Sequence, residues 1–299
     1  MLGLASAQGR LAIARGQLVL LAALIALTLG AWTLTVYQAR TMDMPMGVAV
    51  RSEVDAPSSA GSMADMPGMA MDAEANASMA GMSGMGWTWD ALLTFVVAWA
   101  VMMAAMMFPA VTPMLLLFHA TATRKQAAGS PFVPTWVFAL GYLAVWTAIG
   151  VLTWLLVQLA SELASHMSLA TRATWVPLTL GAVLIVGGLY QVTPLKAACL
   201  SQCQSPLGFV MTHWRDGRLG ALRMGVVHGA YCLGCCWALF AVLVATGVMS
   251  LAWMALLTLV VFAEKVLPLG RRAPAVIGVV FLILGILVAA GATDLPWSA

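Results

Sequence analysis

The sequence predicts an all-α fold: a polytopic membrane helix bundle of about seven transmembrane helices, with a disordered methionine-rich exterior loop after the first. Three observations predict it. Hydrophobic residues make up 62% of the 299, charged residues only 8%, and mean hydropathy is +0.96, whereas a soluble domain carries about 25% charge. Apolar runs recur at lengths near the roughly 20 residues needed to cross the hydrocarbon core as a helix. One polar stretch, residues 42–85, interrupts them and holds ten methionines with no aromatic residue.

Seven runs qualify, at roughly 17–37, 90–119, 134–159, 174–192, 222–247, 249–264 and 274–292. The first follows Arg10 and Arg15 and has a long apolar stretch, Leu18 to Val36, with no small-x-small cleavage site behind it. It reads as a retained signal anchor in preference to a cleaved signal peptide. The second run contains Pro109 and Pro113. Each proline removes a backbone donor and frees a carbonyl one turn earlier, so this helix is expected to kink, or to end early and re-enter.

Basic residues orient the bundle. With the N-terminus in the cytoplasm, Arg10, Arg15, Arg124, Lys125, Lys196, Arg215, Arg218, Arg223, Lys265, Arg271 and Arg272 lie inside, and Arg40, Arg51 and Arg172 outside. Positive charge favours the cytoplasmic side, so the methionine-rich loop is expected in the periplasm of a bacterial inner membrane. Three parts follow: residues 1–37 as cytoplasmic N-terminus and anchor helix, 38–88 as the low-complexity loop, and 89–299 as a six-helix core. Within that core, residues 195–221 form a cysteine-containing cytoplasmic segment, with a short interfacial helix and a turn at Asp216–Gly217.

Three groups of side chains carry candidate chemistry. The loop holds Met42, Met44 and Met46, then Met63, Met66, Met69 and Met71, then Met79, Met82 and Met85. A thioether is a soft, neutral ligand that selects Cu(I) among common biological metals, and it tolerates an oxidising exterior in which exposed thiols are lost to disulfides. The alternative is a composition-biased linker. The second helix carries Met102, Met103, Met106 and Met107, two adjacent i,i+4 thioether pairs. They read as a stepping stone for a soft ion or as flexible packing; the same spacing occurs in eukaryotic high-affinity copper transporters. The third group is His228, Cys232, Cys235 and Cys236, at i, i+4, i+7 and i+8 on one helix face. Gly225, Gly229 and Gly234 lie nearby to admit a close neighbour. Cys199 and Cys203 lie just past the fourth run, close enough in sequence to join this group or to stay apart. The bland alternative makes the cysteines small apolar fillers. Glu264–Lys265 reads as a plain interfacial pair with Lys265 snorkelling, with Glu264 as a gate or proton acceptor the alternative, and His119, His166 and His213 as incidental.

The chain resembles a bacterial family of predicted metal-binding integral membrane proteins over about residues 88–292. The resemblance rests on Met102-Met103-Ala-Ala-Met106-Met107-Phe-Pro109, Tyr190-Gln-Val-Thr-Pro194-Leu-Lys196-x2-Cys199-x3-Cys203, His228-Gly-Ala-Tyr-Cys232-Leu-Gly-Cys235-Cys236-Trp237 and Glu264-Lys265-x2-Pro268-x-Gly270. It implies metal binding and architecture but no reaction; the methionine-rich loop lies outside it.

The expectation is therefore a membrane copper(I)-binding protein that captures copper at the loop and passes it to the methionine and Cys/His groups, for transport or delivery. A lipid bilayer and a copper chaperone or cuproenzyme are the expected partners, with no nucleic acid. The rivals are a membrane oxidoreductase using a metal or a Cys232/Cys235 dithiol, and a structural or assembly subunit of a larger complex. Walker A, dinucleotide-loop, nucleophile-elbow and HExxH motifs are absent, and no catalytic residue is assigned.

Overall fold

In the computed structural model, residues 2–41, 87–246, 251–267 and 272–291 are described, and every regular element among them is an α-helix. In chain order these are α1 (Leu2–Thr41), α2 (Trp89–Ala127), α3 (Thr135–Ser165), α4 (Leu169–Gln191), α5 (Pro194–Gln204), α6 (Pro206–His213), α7 (Gly217–Thr246), α8 (Leu251–Val266) and α9 (Arg272–Ala289). All ten loop methionines, Met42 to Met85, lie outside the described residues, as do Pro268 and Gly270.

Among the described residues, five helices are long and apolar enough to cross a membrane. A sixth span is counted if α4 and α5 are one path, bent by 66° between Gln191 and Pro194. Seven spans were expected. The run at α8 is not among those counted, since its 16 described residues extend about 24 Å at 1.5 Å per residue, less than the roughly 30 Å hydrocarbon thickness.

α2 removes one of the two forms expected of it. It neither ends early nor re-enters but runs through Pro109 and Pro113 as one helix. The Ala105 carbonyl, which Pro109 cannot address, accepts a hydrogen bond from Trp32 Nε1 of α1 at 3.1 Å. A neighbouring helix thus supplies the donor the proline lacks. Outside the bundle ends, Thr88 caps α2 by accepting from Ala91 N–H, and Asp90 lies in the first turn, where the helix dipole favours a carboxylate.

Glycines set the two closest helix contacts. Between α3 and α7, a Cβ placed on Gly141 would fall on the Leu222 carbonyl and one on Gly225 on the Phe138 carbonyl. Between α4 and α9, a Cβ on Gly188 would meet the Gly278 carbonyl at 2.7 Å, and one on Gly278 the Gly188 carbonyl at 2.8 Å. Backbones this near leave no room for side chains, which is how helices associate where lipid removes the hydrophobic drive. The α3–α7 contact presses the central part of α7 into the bundle, while α5 lies across α7 and α8. The segment 195–221, expected to form one interfacial helix, holds two, α5 and α6, and the turn before α7 is made at Gly217, with φ +81°.

Candidate functional site

All four members of the α7 group, His228, Cys232, Cys235 and Cys236, are buried, as their shared helix face requires. Cys235 and Cys236 sulfurs lie 3.4 Å apart, and Cys235 Sγ donates to the Cys232 carbonyl at 3.1 Å. α5 brings a fourth thiol. Thr193 caps that helix by accepting from Lys196 N–H, and Pro194 occupies its first turn, where a missing N–H costs nothing. Lys196, Leu200 and Cys203 then fall on its buried face, and Cys203 Sγ reaches 4.0 Å from Cys235 Sγ. Cys199 does not join. It is half-buried and sits over Gly234, where an added Cβ would lie 2.7 Å from its sulfur.

Two further groups meet at this centre: Lys265, expected at the interface, and Tyr142, which no motif marks. Lys265 of α8 donates from Nζ to Cys232 Sγ at 2.8 Å, and the Tyr142 hydroxyl of α3 lies 3.0 Å from the same sulfur. Lys265 is therefore turned inward and buried, instead of snorkelling outward. Its neighbour Glu264 turns elsewhere, to Lys196 Nζ, at 2.7 and 2.9 Å through its two oxygens. Both side chains of that pair are 1% exposed. The signal available was general: an ionisable residue within an apolar helix marks a functional position by default. Nothing local pairs Lys196 with Glu264, 68 residues away.

His228 lies one turn before Cys232, with its ring among Phe138, Tyr142 and Phe209 at centroid distances of 5.9, 6.0 and 5.0 Å. Its Nδ1 is buried without a hydrogen-bond partner, a free ligand atom facing no thiol at bonding distance. The remaining histidines are placed as packing or surface groups. His119 Nδ1 faces Thr135 Oγ1, His213 stacks on Phe209, and His166 lies 3.6 Å from Glu162.

The methionine group on α2 is equally buried: Met102, Met103, Met106 and Met107 are each at most 2% exposed. Trp99, one turn before Met103, donates from Nε1 to the Trp146 carbonyl of α3 at 2.9 Å and fixes this stretch against α3. Met114, Met224 and Met254 are buried as well, and none of these three was singled out.

The donor set fits a soft cation in pairs. With metal–sulfur bonds of about 2.3 Å, two sulfurs sharing an ion lie within about 4.6 Å, and the 3.4 and 4.0 Å separations satisfy that limit. Among the described residues, no group of three or more His, Cys, Asp or Glu side chains is arranged to hold one metal ion.

A family model described as PpoB2, a copper chaperone, matches residues 96–288. The chain belongs to that copper-chaperone family. The match takes in α2 through α9 apart from the ends, with the buried methionines and all five cysteines, and excludes residues 42–85. No curated protein and no solved structure gives a match.

Proposed function

We propose that this chain is an inner-membrane copper(I) carrier that takes copper from the periplasmic methionine-rich loop and delivers it through the membrane core to the thiol centre. In this reading α8 completes seven crossings, the N-terminus is cytoplasmic and copper is the cargo. The observation that carries it is the meeting of Cys203 with Cys235, thiols from two separate helices, with Cys236 against Cys235 and the Lys265 ammonium beside them on Cys232.

A thioether pair and Cu(I) together keep the ion's single charge. Burying that charge is costly unless soft ligands replace its water and a counter-charge is near. At the thiol centre two thiolates and one Cu(I) sum to one negative charge, and the Lys265 ammonium brings the total to zero. Thiolates outcompete neutral thioethers for Cu(I), so the ion runs from methionine to cysteine. His228, with an unpartnered Nδ1 one turn away, serves in this reading as an accessory ligand in transit. Met102, Met103, Met106 and Met107 supply the intermediate station and Cys199 has no part.

The test is a Cu(I) competition titration of the full chain in detergent against a chromophoric chelator. The carrier reading expects Cys235→Ser to weaken the tightest site about a hundredfold or more, the scale of about 2.7 kcal/mol, and Cys199→Ser to leave it alone. Wild-type affinity retained in Cys203→Ser, Cys235→Ser and Cys236→Ser combined overturns it.

A further inference from the structure

α5 reaches the thiol centre on a narrow buried face. Of its 11 residues only Lys196, Leu200 and Cys203 are buried, so Leu200 and Cys203, with half-buried Cys199, supply its apolar anchorage. One flank borders a cavity of about 280 Å³ lined by residues that include Gln191, Lys196, Leu200, Ser201, Gln204 and Pro274. Apolar contact of this extent leaves the position of the helix to its polar ties.

Polar ties oppose that movement, and they converge on one residue of α8. Glu264 takes the Lys196 ammonium on both carboxylate oxygens, at 2.9 and 2.7 Å. Its backbone carbonyl accepts from Gln204 Nε2 at 2.6 Å, at the far end of the same helix. Lys196 also donates to Gln191 Oε1, across the elbow from α4. α5 is thus held at both ends by Glu264. The next residue, Lys265, holds Cys232 of α7. Neighbouring helix positions point about 100° apart, so one dipeptide of α8 grips α5 on one side and α7 on the other. These are the two helices whose thiols meet.

A buried ion pair is poor evidence for stability, because desolvation of both charges offsets their attraction. Its hydrogen bonds are directional, however, and set where a helix sits. We propose that the buried Lys196–Glu264 pair is a positioning device that holds Cys203 on α5 against Cys235 on α7, close enough for the two sulfurs to share one cation. The role rests on the thiols being copper ligands only in its last clause. Lys196 and Glu264 are positioning residues and touch no cargo.

The test measures sulfur approach without metal. In the full chain carrying Cys199→Ser, Cys232→Ser and Cys236→Ser, diamide oxidises the remaining thiols, Cys203 and Cys235, to a disulfide, taking two electrons and two protons. A bond of about 2.05 Å forms only between sulfurs that can meet, so its rate reports their placement. The paired apolar replacement Lys196→Met with Glu264→Met keeps volume and removes both charges. It is expected to preserve helix content and melting midpoint while slowing the disulfide about tenfold, within the range of coupling energies for contacting groups. The reversed pair Lys196→Glu with Glu264→Lys is expected to recover most of the rate. Should the apolar pair fail to fold, the isosteric Glu264→Gln decides, with an expected slowing of about threefold. An unchanged rate in whichever variant folds overturns the proposal. A slowed rate in a chain whose wild type binds no Cu(I) leaves the positioning role standing and sinks the carrier reading; the converse result sinks only the positioning role.

Discussion

The buried methionines of α2 and the buried thiols around α7 are built in opposite ways. Met102, Met103, Met106 and Met107 come from one helix within six residues of sequence, and their pairing is a property of helical spacing. The thiol centre draws on α3, α5, α7 and α8, through Tyr142, Cys203, the three α7 cysteines and Lys265. A single-helix group tolerates movement of its neighbours. A group assembled from four helices changes whenever one of them moves. In the carrier reading the first would serve passage of an ion, the second its retention.

Breaking the comparison starts where the largest effect is expected, at Cys232. Cys232→Leu removes the acceptor of the buried Lys265 ammonium, and an uncompensated buried charge costs about 3–5 kcal/mol. The variant is expected to lose most of its folded yield in detergent, and Cys232→Leu with Lys265→Met to recover it; equal yields for wild type and the single variant would refute the link. Next comes the α3–α7 contact that seats the thiol helix. Gly225→Val places side-chain atoms on the Phe138 carbonyl and is expected to cost about 1–3 kcal/mol by overpacking, read as a lowered melting midpoint together with weakened Cu(I) affinity.

The methionine side of the comparison is expected to respond in the reverse manner. Met103→Leu with Met106→Leu conserves volume, so stability changes by less than about 1.5 kcal/mol. Copper transfer to the thiols in a stopped-flow measurement is expected to slow while equilibrium affinity at the thiol centre holds. Equal slowing by Met114→Leu, which lies outside the tetrad, would remove the tetrad's special role. The smallest effect lies outside the bundle. The Trp214 indole and the Lys125 ammonium hold the Asp216 carboxyl below the usual carboxylate range. With the folded value lowered, its contribution is present above the unfolded value near 3.9 and is lost as pH falls through the folded one. Wild type and Asp216→Asn are therefore expected to differ slightly at about pH 7 and to melt together at about pH 2, since an exposed pair contributes little.

The contrast also explains what could be read in advance. The i, i+4, i+7, i+8 spacing of His228, Cys232, Cys235 and Cys236 placed four ligand-type side chains on one face, and all four are buried. That inference needs only the helical period. Cys199 and Cys203 have the same local claim to the site, being one turn apart on one short helix. Only the 66° bend after Gln191 and the seating of α5 on α8 separate them, sending Cys203 to Cys235 and Cys199 to Gly234. Glu264 and Lys265 were misread for a related reason. At the end of an apolar helix a charged side chain reaches either for the interface or for a partner within, and sequence position is the same in both cases.

Composition and periodicity by themselves determined that the regular elements among the described residues are helices, several of them long and apolar enough to cross a membrane, with buried sulfur side chains in helical register. Those properties are local, since hydropathy and a 3.6-residue period act within one segment. Tertiary structure alone decided which thiol joins which, that Lys265 faces Cys232, that Lys196 and Glu264 meet, and that Trp32 supports the proline-containing helix. Each of these joins residues separated by tens of positions, and such contacts follow from how close two backbones can pack, which no single segment encodes.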